Sequence, residues 1–308
     1  MNNARLEQTS IYISIGGALF LAIVGLSIGL AVQSGAVLLD AFFNVITFVM
    51  ALITFWVSRL VKRPEGRRFQ FGYKGFGPLL NLCKSLLITG LASFAFAASA
   101  AALLHGGRHL DAGVVVIYAI IAASTCLVVS IIHTVIAKKT GSPIVRVDAK
   151  NWMINGIIGL SVAIVFSIVT VIKNTSFAWF VPYADPTIVI ILVLLTLPLP
   201  VKVIIESLSQ ILMGAPNEAL QQSINNALDV ATTKFPCAKR YLRTSEVGEF
   251  LYLHLYWLLP KDEKLTSIEA IDTMRHQITD IVKHEFPNAT LDILFTQDEQ
   301  WFSTMNPR

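Results

Sequence analysis

Asp40 and Asn44 stand four residues apart, as do Asn151 and Asn155, and both pairs interrupt long apolar runs. Side chains at i and i+4 share one helix face, about 6 Å apart along the axis. Each pair is therefore a two-ligand edge. Two such edges facing one another place one carboxylate and three amide oxygens around a single cation. Polar groups in hydrocarbon are costly and turn toward a protein interior or a path for ions. An amide in a span has a plainer use as well, as a hydrogen bond between helices. A carboxylate has fewer such uses, so Asp40 carries the argument.

Two more ionisable residues lie near these pairs. Asp148 comes three residues before Asn151, on the same face. It either feeds ions to the centre or serves as an N-cap or first-turn carboxylate of its helix. Lys84 lies about two turns inside the third apolar run. Its ammonium either snorkels back to the interface or points inward and offsets Asp40 or Asp148.

The elements that must position these groups are membrane spans. Of the 308 residues, 54% are hydrophobic and 14% charged, where a soluble domain carries about 25% charged residues. Six apolar stretches reach spanning length: 11–33, 36–61, 77–104, 112–137, 144–172 and 184–212. Pro198 and Pro200 lack N–H groups and must kink or break the sixth. The N-terminal MNNARLEQTS has no basic n-region, so no cleavable signal peptide is expected. The three cysteines, Cys83, Cys126 and Cys237, form no CxxC and no disulfide framework.

Net charge is +4, and its placement is informative. Lys62, Arg63, Arg67, Arg68 and Lys74 follow the second span; Lys138, Lys139 and Arg146 follow the fourth. The alternate connections are poorer in Lys and Arg. The positive-inside rule then puts both termini in the cytoplasm, with Trp179, Phe180 and Tyr183 at the outer interface. Orientation in a membrane accounts for these basic loops without nucleic acid. His105 and His109 flank an outer glycine pair, either as a metal-capturing pair or as an ordinary polar loop.

Hydrophobicity falls at Gly214–Pro216, and residues 214–308 form a separate domain after a membrane domain of residues 1–213. A helix is expected over 217–234, with Leu220, Ile224 and Leu228 on one face. Strands follow at 239–247 and 250–259, turning at Gly248. A second helix opens with Thr266 as N-cap and Glu269 three residues on and runs to about Glu285. ATLDILFTQD alternates as a last strand. The order αββαβ fits a small α+β layer.

The chain resembles the cation diffusion facilitator family of cation efflux proteins. LLDAFFN (38–44) resembles the family's second-span motif with acidic residues four apart. RFQFGYKGFGPLL (68–80) is similar to its YGHGKAE loop, without the His and Glu. VRVDAKNWMIN (145–155) resembles the fifth-span motif, and ADPTIV (184–189) the start of the sixth span. MGAPNE (213–218) is similar to the exit into the C-terminal domain. The resemblance implies six transmembrane helices, a ferredoxin-like cytoplasmic domain, a homodimer in the cell (inner) membrane, and exchange of a divalent metal for protons. It carries the transport ligands onto Asp40, Asn44, Asn151 and Asn155, where zinc members hold Asp, Asp, His and Asp. In the C-terminal domain it points to His254 and Asp298 as metal positions.

Three amides in place of Asp, His and Asp change the chemistry. Zinc favours imidazole, thiolate and carboxylate in a tetrahedron. Amide carbonyls are hard oxygen donors that suit Mn²⁺ or Mg²⁺ better. One carboxylate exchanges at most one proton. The expected function is therefore proton-coupled efflux of a divalent cation (the Zn, Mn, Fe or Co class) with altered selectivity, and no cofactor beyond the transported metal. The alternative is a transport-silent relative acting as a dimer partner or regulatory membrane protein. No nucleophile–base pair, P-loop or HExxH motif supports an enzyme.

Overall fold

A chain in lipid must satisfy its backbone hydrogen bonds internally, and a long apolar run does so as a helix. The computed structural model describes all residues except 1, 62–65, 71, 109–111, 141–142, 174, 177, 249, 262–266 and 304–308. Lys62, Arg63, His109 and Thr266 thus lie outside the described residues. Helices α1 (Asn2–Val32), α2 (Gly35–Val61), α3 (Phe76–Leu104), α4 (Ala112–Thr140) and α5 (Pro143–Ile172) come first. A 3-10 turn (Ala178–Phe180), α6 (Val181–Thr196) and α7 (Pro198–Ile211) follow. Among the described residues, six helical segments are long and apolar enough to cross a membrane, the sixth running through α6 and α7.

The sixth span breaks where the prolines predict. Helix α6 stops at Thr196 and α7 starts at Pro198. The Leu197 N–H still donates to the Val193 carbonyl at 2.8 Å, and Leu197 keeps right-handed dihedrals of −57° and −36°. Positions 198 and 200 return no donor to the carbonyls four residues back. The break is thus a loss of hydrogen bonds within a continuing helical path.

Two compact units emerge, residues 1–56 with 83–203, and residues 57–82 with 204–308. In the first, α4 packs most extensively on α5, and α1 on α4. Small residues permit this approach. A Cβ at Gly156 would come within 2.9 Å of Leu127 Cδ2, and one at Gly159 within 3.2 Å of the Ala123 Cβ. Leu21, Val37, Val115, Phe166 and Ala184, from α1, α2, α4, α5 and α6, share one core. Large apolar side chains point outward instead, as Trp56 (79% exposed) and Leu195 (71%) do. A bundle whose solvent is lipid has no reason to bury them.

The second unit holds α8 (Glu218–Lys234), β1 (Lys239–Val247), β2 (Phe250–Leu258), α9 (Ile268–Glu285), β3 (Ala289–Thr296) and α10 (Gln300–Ser303). The sheet order is β1-β2-β3, antiparallel then parallel. Leu251, Leu253, Leu255 and Trp257, alternate residues of β2, pack with Ile224 and Leu228 of α8 and Met274 and Ile278 of α9. Both helices therefore cover one face of the sheet, giving the expected αββαβ layer. Gly248, at φ +63°, takes the left-handed turn between β1 and β2. Ser267 caps α9 through the Ala270 N–H, one residue past the expected Thr266. Burial pushes the Cys237 thiol pKa up.

Candidate cation centre

Asp40 lies five residues into α2, and Asn44 follows one turn on. The Asn44 Nδ2 donates to the Asp40 carbonyl at 2.9 Å and to its Oδ2 at 3.3 Å. Tyr118 of α4 donates its hydroxyl to the same Oδ2 at 2.5 Å. A carboxylate accepting such bonds is held in one orientation. Among the described residues no hydrogen bond reaches Asp40 Oδ1, which stays available to a ligand.

Two cavities meet at this carboxylate. The smaller, of about 100 Å³, is lined by Asp40, Asn44, Tyr118, Cys126 and Asn155. The larger, of about 540 Å³, is lined by Asp40, Asn44, Lys84, Asp148, Asn151 and Asn155 among others. The larger space therefore touches all four residues of the two spaced pairs, and both further ionisable residues. The helical spacing does this directly: α2 and α5 each present an i, i+4 edge to the space between them.

Asp148 is placed differently from the first-turn alternative. Helix α5 begins at Pro143, which sets Asp148 in its second turn. The carboxylate accepts from Ser14 of α1 at 2.5 Å and lies 3.0 Å from His133 Nε2 of α4. Ser14 also sits 2.7 Å from His133 Nε2 and accepts from Trp152 Nε1 at 3.0 Å. His133 is fully buried, and its Nδ1 has no hydrogen-bond partner among the described residues. The residues Ser14 and His133 were not expected. A lone His in IIHTV carries the same signal as Asp40, a polar group in an apolar run; Ser14 carries none.

A second buried carboxylate, Asp185 of α6, is fully enclosed at the opposite end of the bundle. It accepts from Ser34 Oγ at 2.6 Å, from the Gly35 N–H at 3.0 Å and from the Ala36 N–H at 3.2 Å. Arg108 pairs with it at 3.2 Å. Asp185 thereby fills the orphan donors at the start of α2, the helix that carries Asp40.

His254 of β2 is exposed, and its register partner on β3 is Asp292, with Nδ1 3.7 Å from Oδ2. Asp298 lies past β3, where its Oδ1 accepts from the Gln300 N–H at 2.9 Å and its own N–H donates to Thr296 Oγ1. Among the described residues no group of three or more His, Cys, Asp or Glu side chains is disposed to hold a metal. His105 Nδ1 lies 2.8 Å from the Ala101 carbonyl oxygen at the end of α3.

Six membrane-length helices, and an open cavity among them that carries Asp40, Lys84, Asp148 and three amides, are the marks of an integral membrane protein of the transport class. The family model for the cation efflux transmembrane domain matches residues 11–212, and the chain belongs to this family, the cation diffusion facilitators. No individual curated protein matches the chain. Metal cation transport follows from membership of the family.

Proposed function

We propose that the protein is a proton-coupled efflux transporter of a hard divalent cation, Mn²⁺ being the best fit, with Asp40, Asn44, Asn151 and Asn155 as its ligands. One observation carries this reading: the four side chains line a single cavity of about 540 Å³. Asp40 supplies the only charge among them, and its Oδ1 has no competing hydrogen bond. The amides supply neutral oxygens. Asn44 now donates its nitrogen to Asp40, so its carbonyl oxygen is the atom left for the cation. An all-oxygen set suits Mn²⁺ and lacks the imidazole or thiolate on which tight zinc binding depends.

Coupling to protons rests on the same carboxylate. Protonated Asp40 is neutral and releases the cation; deprotonated Asp40 captures it. Exposure of the cavity to each side in turn makes this an exchange. The basic connections support an orientation with both termini in the cytoplasm. A homodimer through the C-terminal domain completes the proposal.

Uptake by proteoliposomes of Mn²⁺, Fe²⁺, Co²⁺ and Zn²⁺, with an internal pH dye, tests this. Mn²⁺ uptake linked to proton movement and abolished by Asp40→Ala is expected. Strong zinc uptake that survives Asp40→Ala would remove Asp40 from the transport site. The transport-silent reading draws on one observation, the Lys84 side chain lining the cavity. Restoring the acidic and imidazole ligands (Asn44→Asp, Asn151→His, Asn155→Asp) separates the two. Zinc transport appearing only in the triple variant, with no cation moved by the native chain, favours the silent relative.

A further inference from the structure

Lys84 is the cationic side chain at the cavity among the described residues, and the transport cycle above leaves it without a task. It lies about 12 Å along α3 from Phe76, counting 1.5 Å per residue, inside the membrane-length segment that starts there. It is half-buried and lines the same cavity as Asp40 of α2 and Asp148 of α5. Lys84 and Asp148 interact electrostatically. Yet among the described residues no carboxylate comes within 4.0 Å of its ammonium. The contribution of α1 to the lining, Ile11, Ser14, Ile15 and Ala18, carries no charge.

The charge balance follows directly. Two carboxylates and one ammonium leave the cavity lining with one negative charge in excess. A divalent cation added to this set makes it net positive, and Lys84 repels the cation across the cavity in a medium that screens weakly. Without Lys84 the same cation would neutralise the two carboxylates. With the cavity empty, the ammonium offsets a carboxylate in a place where an unmatched one is costly. Its four-carbon stem lets the charge move within the space without leaving the cavity wall.

We propose that Lys84 is an affinity-determining residue, a tethered cation that competes with the transported metal in the cavity that Asp40 and Asp148 line. This inference rests on the cavity being the cation site. It gives a direction opposite to that of a structural residue: removing the charge improves binding. A weakly held cargo is released more readily on the far side, which is the use of such a competitor in a transporter.

The test is titration of the purified full chain in detergent with MnCl₂, by calorimetry and by thermal stabilisation. Lys84→Gln and Lys84→Met are expected to bind Mn²⁺ about ten-fold more tightly than the native chain, or better. Lys84→Arg keeps the charge and stays within about two-fold of native. Unchanged or weaker binding in both neutral variants overturns the proposal, as does equal tightening in Lys84→Arg. Loss of folded protein in both neutral variants, rescued by arginine and not by Mn²⁺, also overturns it, since cargo can replace a competitor. Asp40→Ala keeps the two failures apart. Mn²⁺ binding indifferent to Asp40→Ala removes the transport site itself, whereas Asp40-dependent binding that ignores Lys84 removes only the competitor. No Mn²⁺ binding by the native chain, Lys84→Gln or Lys84→Met overturns both.

Discussion

Four oxygens on one cavity wall do not make a site unless the helix beneath them is held, and a single residue largely holds α2. Asp185 takes up the first two N–H groups of that helix, the Ser34 hydroxyl and the Arg108 guanidinium. Removing it strands a half-buried guanidinium and orphan amides together. Asp185→Ala is expected to cost about 3–5 kcal/mol, read as a large fall in the thermal midpoint of the detergent-solubilised chain. Asp185→Asn keeps an accepting oxygen and falls less. If alanine and asparagine lose equally little, the capping role is wrong. Gly35 shows how tight the arrangement is, since a Cβ there would sit 1.9 Å from Arg108 Nη1.

Helices and strands convert sequence periodicity into this placement. The i, i+4 spacing on α2 and α5 works only because both edges face a common space, and Gly25 of α1, where a Cβ would meet the Tyr118 hydroxyl at 2.7 Å and the Ala41 Cβ at 2.8 Å, leaves room for Tyr118 at Asp40. In the C-terminal domain the period is two rather than 3.6. Alternate residues of β2 form the core, while His254 falls on the opposite parity and stays exposed. Trp257 is completely buried in that core, and its Nε1 donates to the Pro236 carbonyl at 2.8 Å. Trp257→Ala should cost about 3–5 kcal/mol through the cavity it leaves. Accelerated tryptic cleavage within residues 217–303 of the full-length protein would register this. Cleavage at the native rate would show that Trp257 contributes little.

At the scale of the whole molecule, the exposed apolar side chains of the long helices fit a protein that spans a bilayer, and the basic connections predict its orientation. Arg67, Arg68, Lys74, Lys138 and Lys139 gather on connections that the alternate loops do not match. An epitope tag at Arg308 is expected to resist external antibody and protease in intact cells and to become accessible on permeabilisation. Labelling of the tag in intact cells would reverse the orientation. Reagents that reach a cysteine placed at Gln33 from outside provide the matching control on the other side.

Composition and period made the six spans and the αββαβ order legible, and marked Asp40, Asn44, Asn151 and Asn155 as candidates that the structure brings to one cavity. Each is a local property: a run of apolar residues, an alternation, or a polar group where hydrocarbon excludes one. Proline chemistry likewise located the break in the sixth span at Pro198. Partners distant in the chain were not legible. Tyr118 reaches Asp40 across 78 positions, Ser14 reaches Asp148 across 134 and Ser34 reaches Asp185 across 151. Such contacts depend on how helices pack and rotate against one another, which many small apolar contacts decide together. Tertiary structure alone therefore showed that Asp148 is tied to His133 and Ser14 rather than capping its helix, and that Lys84 lines the same cavity as the two carboxylates.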